Sequence, residues 1–378
     1  MWLDPADARL DDLLTVLKDR TDPAEYPHAA SIEQQVPVYE AARIRAADPR
    51  TVQTEFVRAF ADGPGIVVLK RAFGNEVVDA ATAEFDRLID EQRRSGVAAG
   101  DHFAKPGAND RVWNALEKLA VGAPEVFTAY YANDLLALAA TAWLGPAYQV
   151  TSQVNVVNPG GEGQTVHRDY HLGFQSDEVA ARYPEHVHRL SSVLTLQGAV
   201  AHCDMPVESG PTLYLPHSQK YGLGYLSYRR PEFQEHFVQN HVQLPLEKGD
   251  AVFFNPALFH AAGSNHSADI KRMANLLQIS SAFGRAMESI DRTTMIEAVY
   301  PALLELADPV AAENVIAATA EGYAFPTNLD RDQPIGGLAP QSQADVLRTA
   351  VTERWHPDQL HQALVEHAGR RQTRDTNA

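Results

Sequence analysis

Cysteine is almost missing from this chain. The one residue, Cys203, has no partner for an intrachain disulfide, which fits a reducing compartment. Long apolar runs are missing as well; none approaches the ~20 residues that span a bilayer. The segment Met1-Trp2-Leu3-Asp4-Pro5 has neither the basic cluster nor the apolar stretch of a secretory signal. A cytoplasmic protein without a membrane segment is therefore expected. Positive charge is scarce: 32 Lys+Arg stand against 49 Asp+Glu, a net charge of −17. Such a surface repels phosphate backbones and anionic lipid, so nucleic acid and membrane are not expected as partners. The pair Arg370-Arg371 near the end reads as a solvated tail.

What is present is ordinary in bulk: 45% hydrophobic and 21% charged residues, and 378 residues in all. That length can bury one large core. No repeat or low-complexity stretch appears. Residues 1–60 read as helical, with Leu10, Leu13, Leu14 and Leu17 at helical spacing. Ile66-Val67-Val68-Leu69 reads as a strand, and Asn75 as the N-cap of the following helix. A further helix is predicted over 124–144, ending at Gly145-Pro146. From 148 to 284 the texture changes to short β-branched runs broken by Gly and Pro. Strands are predicted at 151–157, 190–201, 212–215, 241–244, 250–254 and 272–281. Helical periodicity returns over 295–320 and 342–354, and a last helix starts near Pro357. The expected architecture is one domain, 1–378. It has an N-terminal helical region with one strand (1–147), an antiparallel β core (148–284) and a C-terminal helical region (285–378).

Iron used for oxygen chemistry favours two imidazoles and one carboxylate on one face. In a β scaffold His-x-Asp supplies two of them, because residues i and i+2 project from the same side. With 15 histidines about one chance match is expected, so the motif alone is weak. This chain has three: His167-Arg168-Asp169, His202-Cys203-Asp204 and His356-Pro357-Asp358. The last reads as a helix start. The second closes an apolar strand and stays a competitor, with His260 downstream. The first follows Gly160-Gly161-Glu162-Gly163 and is flanked by Gln164, Tyr170 and His171, the composition of a pocket rim. His260 follows the strand at 250–254 and could supply the second imidazole. Twelve residues on, Arg272 opens the strand 272–279. Alternation puts Arg272, Ala274, Leu276 and Gln278 on one face, and a guanidinium there calls for a carboxylate. Lys271 points to the opposite face.

These stretches resemble the phytanoyl-CoA dioxygenase-like branch of the iron(II)/2-oxoglutarate-dependent oxygenases. The resemblance rests on His167-Arg168-Asp169-Tyr170-His171, on Glu208-Ser209-Gly210-Pro211 through Ser218, on Gly249-Asp250 through Asn265, and on the strand at 65–70. It covers roughly 60–285. It implies a mainly β core with flanking helices, a double-stranded β-helix (jelly roll, cupin-like) wrapped by N- and C-terminal helices. It implies that His167, Asp169 and His260 hold Fe(II), and it favours the first His-x-Asp over the second. It implies that Arg272 holds the far carboxylate of 2-oxoglutarate, with Gln153 and Asn155 as further cosubstrate contacts. O₂ is the other cosubstrate; succinate and CO₂ are the coproducts. Halogenases related to this branch lack the carboxylate ligand, so Asp169 speaks against halogenation; hydroxylation of a small-molecule substrate is expected, with desaturation, cyclisation or epoxidation left open. Two departures stand out: His217 and Gln219 at the Pro-x-Ser turn, and an Arg272 spacing one residue longer than usual, which keeps Lys271 as a second candidate. Arg168, Tyr170, His171, Phe174, His102, Lys105, Arg111 and Trp113 are candidate substrate-pocket residues. The loop 323–338 is a candidate lid. A homo-oligomer is compatible with the sequence. The alternatives are a cupin-type metalloprotein without oxygen chemistry, such as an isomerase or hydrolase, and a metal-free binding protein on the same fold.

Overall fold

The computed structural model describes residues 1–95, 108–325 and 327–373. Eleven strands are present among them: β1 (Ser31–Glu33), β2 (Val36–Glu40), β3 (Ile66–Lys70), β4 (Asn109–Val112), β5 (Gln149–Val157) and β6 (Thr195–Ala201), then β7 (Leu213–Leu215), β8 (Val242–Gln243), β9 (Ala251–Phe254), β10 (Phe259–Ala261) and β11 (Arg272–Ser280). Eight form one sheet in the order β1-β2-β3-β9-β6-β11-β5-β4. Three form a smaller sheet, β10-β7-β8. The mainly β core with flanking helices is the expected double-stranded β-helix.

The large sheet has two distinct faces because its strands alternate. On β5, Val150, Val154 and Val156 pack into the main apolar cluster with the helices. Gln153, Asn155 and Val157 face the other way, into the space between the sheets. On β11, Met273, Leu277 and Ile279 join the helices, while Arg272, Ala274, Leu276 and Gln278 line the interior. The helix side is sealed by large buried side chains such as Phe56, Phe60, Phe85 and Phe127, each contributing about 1.5–3 kcal/mol by leaving water. That backing holds β5, β6 and β11 rigid, and so holds whatever projects from their interior face.

Four sequence expectations need correction. The described residues of the first 147 carry four strands, not one. Val36-Pro37-Val38-Tyr39 extends as β2 between β1 and β3 because proline and β-branched residues disfavour helix there. β4 is polar in sequence, yet all four of its residues are buried; Asp110 pairs with Arg93 (2.7 Å) and accepts from the Asn158 side-chain amide (3.2 Å). The strand expected over 190–201 begins only at Thr195, because 185–193 is a helix whose Leu190 and Val193 are exposed. Asn75 is the first residue of its helix; Gly74 is the N-cap and makes no side-chain bond. The runs 124–144 and 295–320 are each two helices. Asn133 and Asp308 interrupt them by accepting bonds from the backbone amides that follow.

Candidate metal centre and cosubstrate pocket

His167 pairs with His260 of β10 as an isolated antiparallel bridge on the small sheet. They exchange both backbone bonds, His167 N to His260 O at 3.0 Å and the reverse at 3.2 Å. Local chemistry fixes that approach. A Cβ on Gly163 would lie 2.4 Å from the Ala262 carbonyl, so only glycine lets the 160–166 segment pass β10 this closely. The Asn255 side chain accepts from Ala257 N at 2.9 Å and shapes the turn that delivers β10. In the same turn the Pro256 carbonyl accepts from Asp169 N at 2.9 Å.

The three side chains converge. Asp169 Oδ2 lies 3.8 Å from His167 Nε2 and 3.5 Å from His260 Nε2. One ligand atom from each residue lies within 4.8 Å of the other two. Each imidazole is oriented through its far nitrogen: His167 Nδ1 donates to Thr165 O (3.0 Å) and His260 Nδ1 to Leu258 O (2.8 Å). This tautomer leaves both Nε2 lone pairs facing the carboxylate, the arrangement a metal needs. Burial pushes the Asp169 carboxyl up, but the two imidazoles and a bond from Gln197 Nε2 (2.7 Å) outweigh it and hold the carboxyl at about 2. Burial, and then the neighbouring His260, lower His167. Two imidazoles and a carboxylate are the donor set that suits iron(II).

The triad opens on a cavity of about 560 Å³, the size that holds a small organic ligand. Arg272 projects into it from β11. Its guanidinium donates to Gly210 O (2.6 Å) and Asn155 Oδ1 (3.3 Å), and its Nε has no partner. Gly210 can offer that carbonyl because it sits at a φ of +77° in the turn before β7. Among the described residues Arg272 makes no ion pair. Burial pulls it down to about 10. A buried guanidinium without an acid is costly unless an anion arrives. Lys271 is exposed outside the cavity.

Other expected site residues divide. Gln153, Asn155, Arg111, Trp113, Tyr170 and Phe174 all line the cavity. Arg111 Nη1 donates to Gln153 Oε1 (3.1 Å) and its guanidinium stacks 5.0 Å from the Trp113 ring. Arg168 is also among the residues that line the cavity, but the residue is only 2% exposed and its guanidinium has partners of its own. It bonds the Ser218 and Tyr221 carbonyls and lies against the Tyr225 and Phe259 rings. His171 bonds Ser191 Oγ at 3.1 Å and is not among the residues that line the cavity. None of the described residues of the 323–338 loop lines the cavity; Asn328 and Arg331 bond the Gln372 carbonyl instead. His102 and Lys105 lie outside the described residues.

The rival His-x-Asp pairs serve structure. His202 is buried on the helix side, with Nδ1 on Thr82 Oγ1 (2.8 Å) and Nε2 on Tyr130 Oη (3.0 Å). Asp204 accepts from Lys248 N (2.9 Å). His356 caps the helix Pro357–Arg370. The residue that sequence reading passed over is Gln197. Its signal was a lone glutamine in the apolar run Thr195–Ala201.

Residues 61–273 match the family model described as phytanoyl-CoA dioxygenase (PhyH), more than half of the chain. The chain belongs to the phytanoyl-CoA dioxygenase family. By class it is a non-haem iron, 2-oxoglutarate-dependent enzyme. Among solved structures the chain is similar to the non-haem α-ketoglutarate-dependent carbocyclase SnoK from nogalamycin biosynthesis. The identity is 21% and the TM-score 0.44, over 62% of this chain and 87% of that one. It is also similar to HygX from Streptomyces hygroscopicus, solved with nickel and 2-oxoglutarate bound. Here the identity is 16% and the TM-score 0.44, over 63% of this chain and 90% of that one. The epimerase SnoN from nogalamycin biosynthesis matches at 19% identity and a TM-score of 0.43, over 62% of this chain and 85% of that one. Comparison with curated proteins returned no match. Among the described residues no helix is long and apolar enough to cross a membrane.

Proposed function

We propose that this protein is an Fe(II)/2-oxoglutarate-dependent dioxygenase that hydroxylates a small-molecule substrate, with release of succinate and CO₂. His167, Asp169 and His260 hold the iron, and Arg272 binds the far carboxylate of 2-oxoglutarate. The observation that carries the proposal is Arg272: a buried guanidinium, with no ion-pair partner among the described residues, in the same cavity as a His-Asp-His donor set. A metal-only isomerase or hydrolase of cupin type has no use for it.

Iron(II) with bound 2-oxoglutarate supplies the oxidising chemistry, in which O₂-dependent decarboxylation is coupled to oxidation of a substrate C–H bond. The protein's work is binding, orientation and exclusion of water. The Thr165 and Leu258 carbonyls each hold an Nδ1 and so aim each Nε2 inward. Asn155 Oδ1 and the Gly210 carbonyl fix the Arg272 fork, so a carboxylate meets a preset pair of donors. Met205, Leu246, Val252 and Ala274 wall that end of the cavity with apolar surface and strengthen the pairing by keeping water out. Arg111, Trp113, Tyr170 and Phe174 also line the cavity, which suits an organic substrate with a hydrogen-bonding group. Asp169 occupies the position that a halide needs in halogenating relatives, which argues against halogenation. The lone cysteine and acidic surface fit a cytoplasmic setting.

The test is spectroscopic, then chemical. Iron(II) and 2-oxoglutarate are mixed with the protein without oxygen, and the weak visible charge-transfer band is sought; O₂ is then admitted and succinate measured. Band and uncoupled succinate are expected from the wild type. A protein that binds iron yet gives neither is not a 2-oxoglutarate oxygenase. Product analysis after a substrate screen separates hydroxylation from desaturation, cyclisation and epoxidation.

A further inference from the structure

Two of the three converging side chains owe their orientation to backbone carbonyls. The third, Asp169, has no equivalent: its backbone is held by its N–H on Pro256 O and by the Tyr225 hydroxyl on its carbonyl (2.8 Å), and its carboxylate must be aimed by something else. The cavity face of β6 carries Thr195, Gln197, Ala199 and Ala201, so Gln197 is the one long polar side chain there. Burying an amide in such a strand is unfavourable unless it is bonded, and Gln197 Nε2 donates to Asp169 Oδ2 at 2.7 Å. That oxygen is also the one facing both imidazoles.

The geometry fixes which way the amide points. An ionised carboxylate only accepts, so the NH₂ end must face Asp169 and Oε1 must point away. Oε1 is buried and without a partner in good geometry, and the Tyr170 hydroxyl is buried beside Gln197 and Gln278 in the same condition. A hydroxyl donor and an amide acceptor thus lie near one another, each with bonding capacity unfilled. Gln197 cannot swing clear, because β6 lies between β9 and β11, opposite Phe254 on one side and Gln278 on the other. Gln278 is held in turn by Gln153 Nε2 at 3.2 Å.

We infer that Gln197 is a positioning residue for the metal-binding carboxylate, and that Tyr170 orients Gln197 through its hydroxyl. Each of the three ligands then has its own orienting partner: Thr165 O for His167, Leu258 O for His260 and Gln197 for Asp169. A carboxylate pinned through Oδ2 presents that oxygen to the imidazoles. This inference rests on the iron reading proposed above. Tyr170 acts here through Gln197, beyond any contact with substrate.

The experiment uses the full-length protein and two variants, Gln197→Leu and Tyr170→Phe. Cobalt(II) is titrated into each metal-free protein, with the visible d–d bands as readout, and each metal-free protein is melted separately to confirm its fold. Gln197→Leu is expected to weaken cobalt(II) binding ~10–100-fold, the usual cost of losing an outer-shell partner, and to alter the band shape. Tyr170→Phe is expected to weaken it less, with a shift of the bands in the same direction. A folded Gln197→Leu that titrates like wild type, with the same spectrum, overturns the inference. If Gln197→Leu does not fold, Tyr170→Phe decides alone: weaker binding supports the inference and an unchanged titration overturns it. A wild type that binds no cobalt(II) or iron(II) brings down the oxygenase reading itself, a result distinct from the others.

Discussion

The two faces of the large sheet bury the same kinds of side chain to opposite ends. On the helix side, His202 has a hydroxyl on each ring nitrogen. On the cavity side, His167 and His260 bond through Nδ1 only and leave Nε2 toward Asp169. The arginines repeat the contrast. Arg168 and Arg272 are both buried, and burial draws both down to about 10. Arg168 bonds two carbonyls and lies against two aromatic rings, whereas Arg272 bonds Gly210 O and Asn155 Oδ1 and, among the described residues, has no ring against it. Burial and residue type therefore do not mark a functional group here. Unfilled bonding capacity, directed at a common space, does.

Four variants can break or sharpen that comparison. The largest effect is expected from His167→Ala, which removes a ligand outright. Iron(II) affinity should fall by more than the ~100-fold that loss of an outer-shell partner costs, as read by anaerobic titration. Arg272→Gln comes next. Losing the charge partner of a buried carboxylate costs about 2–5 kcal/mol, so 2-oxoglutarate should bind at least ~30-fold more weakly while iron(II) binds normally.

His202→Phe should do the reverse. It should lower stability by about 1–3 kcal/mol in urea unfolding, through the polar partners it leaves behind, and leave iron(II) and 2-oxoglutarate affinity unchanged in the folded protein. The same residue gives a pH test. Burial depresses His202 to about 3, against ~6.5 in the unfolded chain. Its contribution is complete above about 6.5 and is lost progressively as pH falls from there toward 3, because the unfolded chain takes up the proton first. The unfolding free energy of the phenylalanine variant should depend less on pH across that window. The smallest effect belongs to Lys271→Ala. An exposed lysine outside the cavity should change stability by less than ~0.5 kcal/mol and leave the 2-oxoglutarate titration as in wild type. A strong effect there would transfer the anion role from Arg272 to its neighbour.

Much of the cavity side was legible because strand alternation is a rigid code. The face Arg272, Ala274, Leu276 and Gln278 follows from period two alone, as does that of Gln153 and Asn155. The phytanoyl-CoA dioxygenase resemblance chose His167 over His202, and the structure supplies the physical reason in the occupied nitrogens of His202. What stayed hidden depends on contacts distant in sequence. Arg168 sits between two residues of the triad, yet its partners come from 218–225. β4 was missed because its buried residues are polar and satisfied by the distant Arg93 and Asn158. Gln197 carried a faint signal, a lone amide in an apolar strand, and its partner Asp169 is 28 residues away.

The central claim is that one cavity takes both a metal at His167, Asp169 and His260 and a dicarboxylate reaching Arg272. A crystal structure grown without oxygen from protein, iron(II) and 2-oxoglutarate tests it most directly. Iron among those three side chains, with the far carboxylate of 2-oxoglutarate on the Arg272 guanidinium, is the expected result. Iron elsewhere, or a carboxylate that leaves Arg272 unpaired, would contradict it.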